Sequence, residues 1–192
     1  MKHQLSLTLL ICLFISNANA QKATVEKSHW GVQIGIHPLA FYNETKLLEK
    51  IALRTELGFG FGWSGFGNSA EWAVIPVIGV EPRFYYNLQK RMEKGKRTDG
   101  NSANFISLHL GYVPDFRITS NENVTVFPSA TILPMWGLKR SVGKHFNFET
   151  ACGIGYNWTF KEYPVFNGEK ISYTEKGLSF GFRLAFGYKL IG

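Results

Sequence analysis

Large apolar side chains alternate with small or polar ones along most of this chain. The clearest case is the stretch from 177 to 192, which reads GLSFGFRLAFGYKLIG. Its even positions from 178 to 190 are leucine, phenylalanine or tyrosine, and its odd positions from 179 to 189 are serine, glycine, arginine, alanine or lysine. A repeat of two residues is that of a β-strand, whose successive side chains point to opposite faces. The fold therefore depends on which of the two faces meets water.

Segments of the same alternating character recur, separated by turn-like or charged stretches, and none of them has a helical period. We predict seven strands, near residues 30–42, 47–61, 72–87, 103–116, 124–139, 145–160 and 177–191. An eighth strand is expected from 22–29 or from 162–174, with a slight preference for 162–174, where Asn167-Gly168 is a hairpin signal. The prediction is an all-β, antiparallel up-and-down sheet of eight strands.

Two environments are compatible with such strands. In a soluble sheet the aromatic face would be buried and the charged face would meet water. Three features favour a transmembrane β-barrel instead: strands of about ten residues or more, aromatic residues near strand ends, and glycines that share the face of the charges. Strands that cross a bilayer need roughly nine to eleven tilted residues and aromatic girdles. A narrow lumen also needs small residues between large polar ones.

The alternative is a soluble periplasmic barrel of the lipocalin type that binds a small apolar ligand. In that protein Phe180, Phe182 and Phe186 would line the cavity, whereas in a membrane barrel they would contact lipid. We favour the membrane barrel, which must be closed because an open sheet edge in hydrocarbon leaves amides unpaired.

The alternation assigns residues to the two faces of the predicted barrel. The interior of an eight-stranded barrel is filled by side chains, so charges there must pair. The predicted lumen charge network is Arg54, Glu56, Glu81, Arg83, His109, Glu149 and Arg183. The predicted lipid-facing residues are Phe59, Trp72, Ile78, Phe84, Leu108, Leu110, Phe148, Trp158, Phe180, Phe182, Phe186 and Tyr188. A structural ion-pair network is favoured over a conduction pathway.

Residues 1–20 have the features of a secretory signal peptide. Lys2 precedes an apolar run, and Ala18-Asn19-Ala20 is a small-x-small cleavage site. The mature chain is expected to begin at Gln21 and to form a single domain, residues 21–192. Cleavage also removes Cys12, which leaves Cys152 as the single thiol and excludes an intramolecular disulfide. The expected location is the outer membrane, reached with the help of its insertion machinery.

Basic residues cluster in the segment from 87 to 102. The chain carries 21 Lys and Arg against 14 Asp and Glu, and the members of this basic loop are Lys90, Arg91, Lys94, Lys96 and Arg97. Such runs often contact nucleic acid, but export argues against that partner. We expect a solvated loop, with lipopolysaccharide phosphates as counter-ions if it lies at the membrane surface and other envelope polyanions if it is periplasmic.

Two stretches carry a family resemblance: VEPRFYYNLQKRMEKGKRTDGNSANFISLHLGYVPDF, residues 80–116, and WGLKRSVGKHFNFETACGIGYNW, residues 136–158. Over roughly residues 30–190 the chain resembles uncharacterised outer-membrane β-barrel proteins of Bacteroidota. In that group a Glu-Pro-Arg-aromatic-Tyr-Tyr-Asn strand end leads into a basic loop. The resemblance implies a small eight-stranded barrel in a Gram-negative outer membrane, and it implies no activity.

An enzyme acting on lipopolysaccharide is a weaker alternative. Ser107 and His109, with Glu81 or Glu149, supply the residue types of an acyl-ester hydrolase. Residues two apart on a strand lie roughly 6.5–7 Å apart, too far for a direct hydrogen bond between backbone positions, and these side chains are predicted to point inward. The histidines show no metal-ligand spacing. We expect no catalysis, no metal and no cofactor, and a structural or interaction role among outer-membrane lipid and lipopolysaccharide.

Overall fold

The structure is a computed structural model that describes residues 22–36, 39–64, 71–120, 125–164 and 170–192. The predicted signal peptide, residues 1–20, lies outside these ranges. The elements are β1 (Ser28–Gly35), β2 (Leu39–Leu48), β3 (Ile51–Ser64), β4 (Glu71–Phe84), α1 (Leu88–Glu93), β5 (Asn104–Val113), β6 (Thr119–Ser120), β7 (Ser129–Val142), β8 (Phe146–Pro164) and β9 (Lys170–Ile191). No helix among the described residues has both the length and the apolar character needed to cross a membrane.

Eight strands form a closed, barrel-like ring in which every neighbouring pair is antiparallel. The ring follows chain order through β1 to β5 and then β7 to β9, and β1 pairs with β9 to close it. β6 is a two-residue strand that pairs with the beginning of β4. The predicted all-β, up-and-down arrangement of eight strands is confirmed.

The predicted source of the eighth strand is wrong. The described parts of 162–174 belong to two longer strands, because 162–164 end β8 and 170–174 begin β9, which pair as one long hairpin. The segment 30–42, predicted as one strand, instead contains most of β1 and the start of β2.

The two ends of the ring differ in what covers them. We call the end that carries Lys22 and Gly192 the closed end, because the buried cluster of Ala23, Val25 and Leu88 lies there with the segment from 85 to 103. The turns after β2 and β7 lie at the same end, as antiparallel order requires. β1, β3, β5 and β8 finish at the opposite end, which we call the open end.

The segment from 85 to 103 is more ordered than the solvated loop that the sequence predicts. It contains α1 and a 3₁₀ turn at Asp99–Asn101. Leu88 is fully buried, and Asn101 has a positive φ of 59° that brings its amide into the ring. The six-residue helix is too short to show a helical period in the sequence, which is why the prediction missed it.

Candidate functional site

The strand register brings opposite charges together inside the ring. Arg54 on β3 lies directly opposite Glu44 on β2 and Glu81 on β4. All three side chains are buried, at 0–1 % exposure. Cross-strand neighbours of opposite charge stabilise a sheet, so the row Glu44, Arg54 and Glu81 is a local consequence of the register.

Arg83 and Glu149 form the centre of the interior network. The Arg83 guanidinium donates from Nη1 to Glu149 Oε2 at 2.9 Å and from Nη2 to Glu149 Oε1 at 2.8 Å. It also donates to Glu44 Oε1 and to Glu81 Oε2, both at 3.1 Å. A bidentate arginine–carboxylate pair is among the stronger and more directional contacts in proteins. This pair links β4 to β8 across the interior.

Glu44 is a second hub, and the sequence analysis missed it. Its Oε1 accepts from Lys139 Nζ at 2.9 Å as well as from Arg83, and its Oε2 accepts from Tyr85 Oη at 2.9 Å and from Asn101 Nδ2 at 2.8 Å. The predicted strand 30–42 ended two residues before Glu44, and Lys139 was the last residue of its predicted strand. Extending the first strand by two residues would have placed Glu44 inside, and the alternation within 124–139 already places Lys139 on the inner face.

The remaining predicted network members lie nearer the open end. Arg54 donates from Nε to Glu56 Oε2 at 2.8 Å. Arg183 donates from Nη1 to Glu81 Oε2 at 2.9 Å and to Glu149 Oε1 at 3.0 Å, while its Nη2 lies 3.6 Å from Glu56 Oε1. His109 Nδ1 lies 3.7 Å from Glu81 Oε2. The structure therefore brings all seven predicted members into one interior cluster.

The network is balanced in charge. Its four carboxylates are Glu44, Glu56, Glu81 and Glu149, and its four cations are Arg54, Arg83, Lys139 and Arg183. Taking charges out of water is expensive unless each one is paired and hydrogen-bonded, and removing one partner of a buried pair typically costs about 3–5 kcal/mol. The arrangement is thus suited to joining strands across the ring.

Aromatic rings pack against these cations. The Arg54 guanidinium carbon lies 4.0 Å from the Tyr42 ring centroid, and that of Arg83 lies 4.4 Å from the Phe105 centroid. Tyr42, Phe105 and Tyr85 are themselves buried. Cation–π contacts are stronger where water is excluded, so the rings support the cations and fill the interior.

Glu26 connects the network to the closed end. Its carboxylate accepts from the backbone N–H of Gly100 at 2.6 Å and from Lys189 Nζ at 3.2 Å, and it lies 3.2 Å from His29 Nδ1. Burial by itself would raise the pKa of Glu26. The contact with His29, the Gly100 hydrogen bond and the charge of Lys189 outweigh burial and lower the pKa to about 2.

The open half of the interior contains a cavity of about 380 Å³. Glu56, His109 and Arg183 supply its charged and polar side, and Leu133 and Met135 supply much of its apolar side. Glycines leave room for this arrangement: a Cβ at Gly79 would lie 2.7 Å from Glu56 Cγ and 3.1 Å from His109 Cε1. The glycines on the polar face therefore accommodate neighbouring side chains.

The predicted lipid-facing residues all lie on the outer face of the ring. Phe180, Phe182 and Phe186 are 78 %, 57 % and 62 % exposed. The other exposed members are Trp72, Ile78, Phe84, Leu110 and Tyr188, and the half-buried members are Phe59, Leu108, Phe148 and Trp158. Cys152 is also on this face and exposed, opposite Trp136 and Phe182 in the ladders. The outer surface is thus broadly apolar.

The basic loop lies at the closed end, on the outside of the ring. Lys90, Arg91, Lys94 and Lys96 line a depression of about 210 Å³ together with Arg140 of β7 and two asparagines. Arg97 does not join them and pairs with Asp99 at 2.6 Å. Four of the five predicted basic residues therefore converge, and Arg140 is a fifth cation that the sequence did not assign to the group.

The residues considered for catalysis do not form a nucleophile–base pair. Ser107 Oγ is buried and has no hydrogen-bond partner among the described residues, and Ser107 lies opposite Arg83 in the β4–β5 ladder. His109 approaches Glu81 rather than Ser107. Across the described ranges, no group of three or more His, Cys, Asp or Glu side chains is placed to hold a metal ion.

Comparisons of the chain with protein-family models, curated proteins and solved structures found no match. The functional conclusion consequently depends on the geometry of the ring itself.

Proposed function

We propose that this protein is a transmembrane β-barrel of the bacterial outer membrane, with a structural or interaction role and no catalysis of its own. One observation carries the proposal: charged side chains fill much of the interior while large apolar side chains cover the outside, whereas a soluble protein usually exposes its charges. Arg54, Arg83 and Glu149 are fully buried, while phenylalanines such as Phe180 are exposed. Large contiguous apolar surfaces are rare on soluble monomers, and hydrocarbon is the solvent that this surface matches.

The height of the apolar surface agrees with a bilayer. Trp72 and Phe84, both exposed on β4, are twelve positions apart. At a rise of about 3.3 Å per residue and a tilt of about 40°, they are separated by about 30 Å along the membrane normal. A hydrocarbon core is about 30 Å thick. This agreement supports the membrane proposal over a soluble barrel with an apolar ligand inside.

The packed network favours a sealed interior over a conduction pathway. Glu44, Arg54, Arg83 and Glu149 have no exposed surface, and each contacts partners on other strands. Ions would have to break several of these buried pairs to pass. The proposed role is therefore to join the strands, and the surfaces outside the bilayer would carry any interaction.

The basic loop suggests how the closed end meets the membrane. In outer-membrane barrels both chain termini are periplasmic, so the closed end would face the periplasm. Lys90, Arg91 and Arg140 would then lie beside the periplasmic leaflet. Tyr86 and Trp136 would lie there too, and Trp136 Nε1 donates to Tyr86 Oη at 2.9 Å. Phospholipid phosphates are the counter-ions that we propose for this cluster, and lipopolysaccharide would meet the open end.

Envelope fractionation, combined with gel electrophoresis of boiled and unboiled samples, tests the proposal. The native host's envelope is separated into soluble periplasm and outer membrane, and each fraction is run on a denaturing gel with and without boiling. We expect the protein in the outer membrane, with a changed mobility when it is not boiled, because a closed barrel resists the detergent. A protein found in the soluble periplasm without that shift would overturn the proposal and favour the ligand-binding alternative.

A charged substitution on the outer face tests whether that face contacts lipid or water. Ile154 is exposed near the middle of β8, and Ile191 is exposed at the end of β9. An arginine at the bilayer midplane costs about 2–4 kcal/mol, and near an interface about 0–1 kcal/mol. We expect Ile154→Arg to reduce folding into vesicles strongly and the matched Ile191→Arg to reduce it little. Equal folding of the two variants would argue against a lipid-facing surface.

A further inference from the structure

In the part of the chain that the structure describes, the ring is complete at the closed end and has a lateral gap toward the open end. β1 pairs with β9 only from residue 185 onward, since Gly35 is opposite Ala185. The last contact is the hydrogen bond from Ile36 N–H to the Leu184 carbonyl oxygen, at 3.2 Å. Among the described residues, the edge of β9 from 170 to 183 that faces β1 has no ladder partner, while its other edge pairs with β8.

The interior cavity lies at this gap. Besides interior residues, its lining includes Ile36 at the end of β1 and the outward-facing Phe180 and Phe182 of β9. Residues from 171 to 178 are exposed on both faces, so that part of the hairpin projects past the ring. The unpaired edge that remains beside the cavity runs from about 179 to 183. Backbone of this kind is tolerated at membrane depth where it lines a polar cavity.

The polar side of the cavity contains a hydrogen-bond donor that is not fully used by the described residues. Within the described ranges, both hydrogen bonds of Arg183 to carboxylates leave from Nη1, and Nη2 lies 3.6 Å from Glu56 Oε1. The His109 ring also lines the cavity, and its Nδ1 faces Glu81 Oε2 at 3.7 Å. The nearby Glu56 already accepts from Arg54. A guanidinium whose Nη2 is not used in a hydrogen bond favours an anionic oxygen head group.

The rest of the lining favours an apolar chain. Leu133, Met135 and Val77 line the cavity, and its gap opens between apolar outer residues. Its volume of about 380 Å³ is within the range of small-molecule sites, about 300–1,000 Å³. We propose that this cavity binds an amphipathic molecule with one acyl chain, its anionic head against Arg183 and His109 and its chain leaving through the gap beside β9. The proposal rests on the membrane location proposed above, since the gap would then open to lipid.

Displacement of a fluorescent fatty acid tests the site. The whole folded protein is placed in vesicles of zwitterionic phosphatidylcholine with 11-dansylaminoundecanoate as the probe. We expect saturable binding of the probe and its displacement by dodecanoate or dodecyl phosphate. The tighter of these two anions identifies a carboxylate or a phosphate head. Dodecyltrimethylammonium has the same chain and the opposite charge, and we expect it to displace the probe at least tenfold more weakly.

A filled cavity provides the matched control. A Cβ at Gly181 would lie 3.0 Å from Leu133 Cδ1 and 3.3 Å from Met135 Cε, so leucine there would occupy the cavity. A Cβ at Gly177, four residues away on the same face, would have nothing within 4 Å. We expect Gly181→Leu to weaken probe binding at least tenfold and Gly177→Leu to leave it unchanged. Each variant is first checked for heat-modifiable mobility in vesicles.

The outcomes separate the two proposals. A wild-type protein that shows no heat-modifiable, membrane-inserted form would defeat the membrane proposal and the ligand site with it. An inserted protein that binds no probe saturably, or whose Gly181→Leu variant binds as well as wild type, would defeat the ligand site alone. Equal displacement by the cationic surfactant would overturn the anionic head group.

Discussion

The closed half and the open half of the ring interior are built from the same strands but are filled differently. On β3, Arg54 lies in the closed half and Gly58 lies toward the open end, and on β4 Arg83 lies in the closed half and Gly79, opposite Glu56, lies toward the open end. Large charged side chains thus give way to glycine along a single strand. The contrast indicates that the closed half stabilises the ring and that the open half leaves space.

The same contrast appears in how well the polar groups are paired. Glu44 in the closed half accepts hydrogen bonds from four different residues. Glu56, beside the cavity, accepts one from Arg54 and is 11 % exposed. A buried polar network stabilises only when its members are satisfied. Substitutions should therefore be costly in the closed half and mild in the open half.

Arg83→Ala should have the largest effect, because it leaves Glu149, Glu81 and Glu44 without their shared partner. We expect a loss of about 3–5 kcal/mol in the free energy of unfolding, measured by urea unfolding of the protein folded in detergent. Arg97→Ala removes the same side chain from an exposed pair with Asp99, and it should leave the transition in place. An unchanged transition for Arg83→Ala would show that the network does not hold the closed half.

Glu44→Gln should rank second. The substitution keeps the shape of the side chain but removes a charge that Lys139 and Arg83 share. Hydrogen bonds to charged groups contribute about 1.5–3 kcal/mol, and we expect a loss in that range. The matched Glu56→Gln should lose about 1 kcal/mol or less. Urea unfolding measures the free energy of unfolding of both variants. Equal losses in the two would contradict the distinction between the halves.

The two halves should also differ in their tolerance of a single methyl group. A Cβ at Gly137 would lie 2.5 Å from Phe105 Cζ and 2.7 Å from Ala151 Cβ, whereas a Cβ at Gly58 would make only ordinary contact with Ala40 at 3.6 Å. Overpacking a filled core typically costs about 1–3 kcal/mol, and we expect this loss for Gly137→Ala. Gly58→Ala should be neutral or stabilise by up to about 1 kcal/mol. Thermal unfolding would contradict the contrast if Gly58→Ala were the less stable variant.

Much of this architecture could be predicted from alternation, because a period of two assigns every residue of a strand to one face. That is how Arg183 was placed inside and Phe182 outside. Alternation does not determine where a strand ends, so Glu44 was missed just beyond a predicted strand end. It also does not determine pairing between strands, and the gap beside β9 depends on β1 ending at Gly35 while β9 continues. Nor does it report on the segment from 85 to 103, where a short helix and Asn101 complete the closed end.

Acidification should have the smallest effect, acting on the closed end through Glu26. The pKa of this carboxyl is lowered from 4.5 to about 2 in the folded protein, so folding favours its ionised form. Its contribution to stability is therefore complete above pH 4.5 and is lost as the pH falls toward 2. We expect Glu26→Gln to be less stable than wild type by roughly 1 kcal/mol at neutral pH, because a quarter of the side chain is exposed and its pair with Lys189 is screened.

This difference between wild type and Glu26→Gln should shrink between pH 4.5 and pH 2. Raising the pH above 4.5 should not change it, since the carboxyl is ionised there in both the folded and the unfolded chain. Glu49→Gln removes another carboxylate at the closed end, but Glu49 pairs with Lys22 in solvent, so this control should follow wild type at every pH. If the stability difference between wild type and Glu26→Gln instead grew on acidification, Glu26 would be protonated in the folded protein. In that case the contacts with Gly100 and Lys189 would not stabilise an ionised carboxylate at the closed end.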